Sequence, residues 1–79
     1  MNWFVYLLIC SDGTLYCGIT NNLDKRIATH NLGKGAKYTR ARLPVKLYRS
    51  FQVENKSAAL KLEYRIKQLT HEQKLNFSL

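Results

Sequence analysis

The chain of 79 residues is strongly basic: it contains 13 lysines and arginines but only five aspartates and glutamates, for a formal net charge of +8. This length allows one small domain with a single core, and a hydrophobic content of 46% argues against disorder. The apolar run at residues 3–10 is too short to cross a bilayer and lacks the flanks of a secretory signal. We therefore expect one cytoplasmic domain over residues 1–79, whose charge favours nucleic acid over a membrane as partner.

The first part of the chain predicts a β-hairpin. Residues 3–10 form an apolar run that suggests a strand covered on both faces, and residues 15–19 form a second strand. Between them, Ser11-Asp12-Gly13 is a turn signal. The two cysteines, Cys10 and Cys17, lie in these runs without the spacing of a zinc site, so we expect buried free thiols.

The length of the hairpin loop decides where two tyrosines point. A two-residue turn would put Tyr6 and Tyr16 on opposite faces of the sheet. A three-residue loop with Gly13 in the left-handed region pairs Tyr6 with Gly18 and Leu8 with Tyr16, so both phenols share one face. We predict the three-residue loop, in which the small glycine leaves room beside Tyr6.

Capping residues and hydrophobic spacing predict the remaining elements. In chain order these are a helix capped by Asn21 or Asn22 and ending near Asn31, a basic loop over 33–42, a strand over 45–53 with one wet face, a helix over 56–69, and a short final helix after the capping pattern Thr70-x-x-Gln73. The fold class is therefore α+β, with a three-stranded, mostly antiparallel sheet flanked by helices.

Arg26 and His30 lie one turn apart on the first predicted helix. With Leu23 as reference, His30 shares the apolar face and Arg26 flanks it. A core histidine beside an arginine that covers apolar surface with its stem would explain this pair. A phosphodiester-cleaving site would also use a guanidinium and an imidazole, and Tyr6 and Tyr16 come from the strands that this helix must cover. Both interpretations stay open.

Glu63 is the acidic residue without an ordinary structural explanation. It falls within or beside the apolar arc of the second long helix, where an unpaired carboxylate is costly. The other four acids fit turns or helix starts. Glu63 is therefore either half of a buried salt bridge with Arg26 or Arg65, or a metal ligand. A lone carboxylate suits Mg²⁺, and the lack of a second clustered acid disfavours a two-metal mechanism.

The basic loop combines cations with an aromatic ring. Cations contact phosphates, and an aromatic side chain can stack on a base. A solvated loop with no partner is the alternative. The residues expected to bind nucleic acid are Lys34, Lys37, Tyr38, Arg40 and Arg42.

The ordered set of these motifs resembles the GIY-YIG endonuclease superfamily, and most of all its small stand-alone bacterial members. The shared features are a strand tyrosine, a strand Tyr-x-Gly, a helical Arg-x-x-x-His, a later helical glutamate and the run Gly-Ala-Lys-Tyr-Thr-Arg at 35–40. The two name triplets read Val-Tyr-Leu and Tyr-Cys-Gly here, and both keep the tyrosine. The similarity covers nearly the whole chain.

The resemblance implies a three-stranded antiparallel sheet flanked by helices and the cleavage of DNA phosphodiester bonds with one divalent cation, Mg²⁺ or Mn²⁺. Some members place an asparagine soon after the metal helix, and Asn76 is the candidate here. Transferred by position, the resemblance implies catalytic roles for Tyr6, Tyr16, Arg26 and His30 and a metal-binding role for Glu63. We therefore expect a metal-dependent nuclease of DNA repair or processing.

Two other interpretations of the chain stay open. A non-catalytic nucleic-acid-binding module would keep the same fold and basic face and would bind without cleaving. A partner-binding scaffold would use the tyrosines only in its core, and it predicts weak DNA binding with little salt dependence.

Overall fold

The computed structural model describes residues 2–79, which form three strands and four helices. The strands are β1 (Trp3–Ile9), β2 (Leu15–Thr20) and β3 (Lys46–Val53). The helices are α1 (Leu23–Asn31), α2 (Lys37–Arg40), α3 (Lys56–Lys67) and α4 (His71–Leu75). The strand order is β2-β1-β3 and both pairings are antiparallel, so the predicted α+β fold is confirmed.

The hairpin between β1 and β2 has the predicted three-residue loop. The Cys10 backbone N–H donates to the Thr14 carbonyl at 2.9 Å, which closes the loop over residues 11–13. Gly13 has a φ of 83°, a conformation that side-chain-bearing residues rarely adopt. Asp12 supports the turn because its carboxylate accepts hydrogen bonds from the Thr14 hydroxyl and backbone N–H.

This loop sets the register that puts both strand tyrosines on one face. Tyr6 lies opposite Gly18 and Leu8 lies opposite Tyr16, as predicted. A Cβ atom at Gly18 would collide with the Tyr6 hydroxyl and would lie only 2.5 Å from the Tyr6 Cζ atom. The glycine therefore makes the space that the Tyr6 ring occupies across the strand pair.

Helices cover the sheet on both faces. On one face, α3 packs on alternate residues of the strands, and this cluster comprises Val5, Leu7, Cys17, Ala59, Leu62 and Ile66. On the other face, α1 and the segment before β3 pack on a cluster that comprises Tyr6, Leu8, Cys10 and Val45, with Tyr16, Leu23, Ile27 and Leu43 at its margin. Both cysteines are buried and free, as expected.

The third strand departs from the prediction of one wet face. Val45 packs on the α1 side of the sheet, whereas Phe51 packs on the α3 side. The pairing of β1 with β3 changes register between Leu7 and Leu8, and a bulge of this kind adds one residue and so reverses which face later side chains meet. Leu47, expected on the buried side, pairs with Leu8 before the bulge and is 42% exposed.

Two helix boundaries also differ from the sequence-based expectation. Part of the stretch predicted as a basic loop forms the one-turn helix α2, and Thr39 within it is fully buried. The long second helix ends at Lys67, with Gln68 as its cap, rather than at Leu69. Within residues 2–79, no helix combines the length and apolar content needed to cross a membrane.

Candidate active site

Four predicted catalytic side chains meet on the face of the sheet that α1 covers. They come from three elements: Tyr6 from β1, Tyr16 from β2, and Arg26 with His30 from α1. The Tyr6 Oη atom lies 3.0 Å from His30 Nε2 and 3.3 Å from Arg26 Nε. The ring centroid of Tyr16 lies 5.4 Å from that of His30 and 6.4 Å from that of Tyr6. The structure thus brings all four together.

The position of α1 follows from polar side chains at its two ends. Asn22, one of the two predicted caps, accepts a hydrogen bond from a backbone N–H of the first turn. At the other end, Asn31 donates to the Val45 carbonyl at 3.0 Å and accepts from the Val45 N–H at 2.8 Å. These bonds fix the helix that carries Arg26 and His30 relative to the sheet.

The hydrogen bonds of Thr39 define the tautomer of His30. The Thr39 hydroxyl donates to the Ala36 carbonyl at 2.9 Å. Since a hydroxyl has one proton, Thr39 Oγ1 must accept the 2.9 Å bond from His30 Nδ1. Burial, and secondarily the charge of Arg26, lowers the pKa of His30, so the ring is neutral. His30 Nε2 is therefore the acceptor, and the Tyr6 hydroxyl donates to it.

Tyr6 is the centre of this hydrogen-bonded chain. Its hydroxyl accepts from Arg26 and donates to His30, and the residue is only 1% exposed. Burial raises the pKa of Tyr6, although the hydrogen bond and charge of Arg26 act in the opposite direction. Tyr6 is thus a neutral phenol in the free protein. Tyr16, which is partly exposed, is the phenol that faces solvent.

Two of the five residues expected to bind nucleic acid have partners within the chain. The Tyr38 ring stacks on Tyr16, with centroids 5.9 Å apart, and the Arg42 guanidinium carbon lies 4.0 Å from the Tyr38 centroid. Arg42 also pairs with Asp12 at 3.0 Å and donates to the Tyr38 carbonyl. These contacts occupy the Tyr38 ring that was expected to stack on a base. They also hold the Arg42 side chain against Asp12 and Tyr38.

The other three, Lys34, Lys37 and Arg40, are exposed. They lie on a segment that packs directly against the site, because a Cβ atom at Gly35 would lie 2.7 Å from the Cγ atom of His30. The exposed cations and the buried imidazole are therefore parts of one packed unit.

Glu63 lies on the α3 side of the sheet, and its side chain is 19% exposed. Its ion-pair partner is Lys67, with Nζ and Oε2 3.5 Å apart. The alternative of a salt bridge to Arg26 or Arg65 was wrong: Arg26 is on the helix that covers the other face, and residues two apart on a helix do not face each other. Glu63 is nevertheless close to the edge strand β2, since its charge contributes, after burial, to raising the pKa of Cys17 to about 12.

Glu63 offers one carboxylate to a candidate metal ion. Within residues 2–79, no three histidines, cysteines, aspartates or glutamates cluster as a metal cage. Mg²⁺ keeps several waters and needs only one or two carboxylates. A partly buried Glu63, whose ion-pair partner is Lys67, is compatible with Mg²⁺ if the cation displaces that lysine. Asn76 instead caps α4, where its Nδ2 atom donates to the Glu72 carbonyl at 3.1 Å.

Sequence reasoning missed Thr39, the hydrogen-bond partner of His30 in the candidate site. It lies between exposed cations on a one-turn helix, which is too short for a periodic pattern to distinguish a buried side chain. The run at residues 35–40 indicated that this segment matters for the resemblance, but it did not indicate which of its side chains is buried.

Comparison with known proteins identifies the family of this domain. A profile of the GIY-YIG catalytic domain matches residues 2–76. The chain belongs to the GIY-YIG family. This confirms the resemblance drawn from the motifs.

Relatives of this GIY-YIG protein are small bacterial proteins. The UPF0213 protein YsiG of Lactococcus lactis is 56% identical over 94% of this chain and 72% of its own length. A UPF0213 protein of Bacillus velezensis is 56% identical over 90% of this chain and 72% of its own length.

Two solution structures share the fold. A UPF0213 protein of Bacillus halodurans is 43% identical, with a TM-score of 0.60, and a protein of E. faecalis is 38% identical, with a TM-score of 0.66. Each match covers 96% of this chain and 81% of the other. The small stand-alone GIY-YIG proteins are therefore the group to which this fold belongs.

Proposed function

We propose that this protein is a divalent-metal-dependent endonuclease that cleaves phosphodiester bonds of nucleic acid, with DNA as the expected substrate, in DNA repair or processing. Membership of a family of catalytic domains supports nuclease activity in general. The observation that carries the proposal is the directed hydrogen-bond chain from Arg26 through Tyr6 to His30, beside the partly exposed Tyr16. A domain that only bound nucleic acid would not need a buried, oriented imidazole.

Arg26 is the residue that binds the scissile phosphate in this proposal. Within residues 2–79, only its Nε atom makes a hydrogen bond, which goes to Tyr6. The two terminal nitrogens can therefore form the bidentate contact that suits a phosphate.

His30 accepts the proton that the attacking water releases. Tyr16 positions this water, and Tyr6 relays the proton, because its hydroxyl already donates to the free acceptor nitrogen of His30. Burial, and secondarily the charge of Arg26, lowers the pKa of His30. A phosphate bound to Arg26 would offset the second of these two causes and so make His30 a stronger base than in the free protein.

Glu63 is the proposed ligand of the divalent cation, Mg²⁺ or Mn²⁺. When bound, the cation would polarise the phosphate and stabilise the charge that develops on its oxygens. Lys34, Lys37 and Arg40 supply the exposed positive surface for neighbouring phosphates. Tyr38 and Arg42, the remaining predicted contacts, support this surface through Tyr16 and Asp12.

A panel of labelled substrates tests the proposal. Single-stranded, nicked, flapped and branched DNA would be incubated with Mg²⁺, Mn²⁺ or EDTA, with single-stranded RNA in parallel. We expect cleavage of at least one DNA substrate that EDTA abolishes and that Tyr16→Phe removes. Salt-dependent binding without cleavage of any substrate would instead identify a non-catalytic nucleic-acid-binding module.

A further inference from the structure

A pocket of about 250 Å³ opens at the free edge of β2, beside the candidate active site. Its walls come from the edge strand, from α2 and from the two C-terminal helices. The lining residues are Leu15, Tyr16, Cys17, Tyr38, Lys67 and Lys74. Because Tyr16 belongs both to this pocket and to the ring cluster with His30, the pocket and the candidate active site share a wall.

Two ammonium groups from different helices face this pocket. Lys67, on α3, is half-exposed and has Glu63 as its ion-pair partner at 3.5 Å. Lys74, on α4, is partly buried and makes no ion pair within residues 2–79. Both charges act to lower the pKa of the Cys17 thiol, against the larger effect of burial, which places them close to the pocket floor. Two positive charges against one carboxylate leave the pocket positive.

The lining favours a tetrahedral anion over a nucleobase. The Tyr38 ring already stacks on Tyr16 and has the Arg42 guanidinium 4.0 Å from its centroid, so a nucleobase would have to compete with these partners. Lysine ammonium groups bind phosphate as point charges. The buried Cys17 thiol, with a pKa of about 12, stays neutral and adds no competing negative charge.

We propose that Lys67 and Lys74 bind a second phosphate of the nucleic-acid strand, adjacent to the one held at Arg26. This inference rests on the proposed function, since it extends the path of the strand from the candidate active site across the edge of β2. Glu63 holds Lys67 in the free protein. A single i,i+4 ion pair of this kind is weak, so a strand phosphate can compete with Glu63 for Lys67 without a cation.

The test measures binding in EDTA, where no cleavage occurs. The affinity for a fluorescent single-stranded oligonucleotide would be followed by anisotropy across a salt series, for the wild-type protein, Lys74→Gln and Lys67→Gln/Lys74→Gln. The control is Lys61→Gln, which removes the same charge from an exposed site on α3. Each lost phosphate contact should flatten the salt dependence by roughly 0.7 units of the logarithmic slope, and the control should leave the slope unchanged.

Three outcomes separate the alternatives, provided that thermal unfolding shows each variant to be folded. Unchanged slopes in both pocket variants, with a flatter slope in Lys34→Gln/Lys37→Gln, would overturn the pocket proposal and leave the nuclease proposal intact. A wild-type protein that neither binds nor cleaves nucleic acid would overturn both.

The third outcome concerns free phosphate. Titration with inorganic phosphate alone, followed by the NMR shifts of the Cys17 and Tyr38 amides, shows whether the pocket takes a small anion. Phosphate binding together with unchanged oligonucleotide slopes would assign the pocket to a free anion and refute the strand contact.

Discussion

The Thr39 hydroxyl lies 2.9 Å from Nδ1 of His30 and is itself anchored to the Ala36 carbonyl. A threonine of the basic segment, residues 33–42, therefore orients a histidine of α1 and determines which ring nitrogen carries the proton. Since both residues are fully buried, water does not substitute for the threonine. The surface expected to meet nucleic acid and the imidazole expected to move a proton are consequently coupled through one side chain.

Replacing Thr39 by valine tests this coupling. The change keeps the shape but leaves the His30 Nδ1–H and the Ala36 carbonyl without their partner, which should lower stability by about 1–3 kcal/mol. It should also mix the two imidazole tautomers and reduce cleavage, whereas Thr39→Ser should retain the wild-type behaviour. Imidazole ¹⁵N shifts and thermal unfolding would measure both effects. Wild-type shifts in Thr39→Val would refute the assigned role.

A pair of glycine substitutions separates lack of space from backbone strain. Gly18→Ala places a methyl group against the Tyr6 ring and should destabilise the domain by about 1–3 kcal/mol while displacing Tyr6. Gly13→Ala meets no atom within 4 Å but has a φ of 83°, so its cost should be about 1 kcal/mol and purely conformational. Denaturant unfolding gives both values. The Tyr6 ring shifts should change only in Gly18→Ala.

Glu63→Gln should abolish metal-dependent cleavage while the fold is kept. Its i,i+4 ion pair with Lys67, whose side chain is half-exposed, contributes only about 0.3–0.5 kcal/mol, far less than the several kcal/mol expected for breaking a fully buried ion pair. Melting temperature and cleavage would be measured on the same sample, with the exposed Glu54→Gln as control. A folded and fully active Glu63→Gln protein would end the assignment as metal ligand.

Charge removal on the basic segment should have two different effects. Neutralising Lys34 and Lys37 should weaken binding to all sequences and flatten the salt slope by roughly 0.7–0.9 units per lost contact. Arg42→Gln should instead lower the melting temperature, because Arg42 bonds to Asp12 and covers Tyr38. An Arg42→Gln protein with normal stability and a flatter slope would restore Arg42 as a phosphate contact.

The buried His30 predicts a loss of stability in mild acid. Its pKa in the folded protein lies below the usual value of 6.5, so the unfolded chain takes up a proton first as pH falls. The stability present above about pH 6.5 should therefore decrease as pH drops toward the folded-state pKa. Melting temperatures from pH 8 to 5 would show this for the wild-type protein and for a variant of the exposed His71, and His30→Asn should flatten the curve.

The sequence was sufficient where short-range rules apply. The turn at Gly13 and the alternation of strand faces fix the tyrosine register, and Asn22 marks the start of α1. Local pattern could not reveal the bulge between Leu7 and Leu8, because a one-residue insertion leaves both strands with ordinary composition.

For the candidate site, motif order identified the four side chains that cluster. The salt-bridge partner predicted for Glu63 was wrong, because that partner depends on which face of the sheet each helix covers. Helix angles placed Glu63 near an apolar arc without showing which face of the sheet that helix covers. Arg26 proved to lie across the sheet, and the nearby Lys67 took the ion pair. Partners of this kind depend on three-dimensional packing, which spacing along one helix does not contain.

The position of β2 at the edge of the sheet has a consequence for how copies of this protein can assemble. The unpaired edge of β2 borders the pocket between Tyr16 and the C-terminal helices. A strand from another molecule that hydrogen-bonded to this edge would cover that pocket and exclude a polyanion. If two copies pair their sheets edge to edge, the pairing should therefore form along β3, and the β2 edge should stay unpaired.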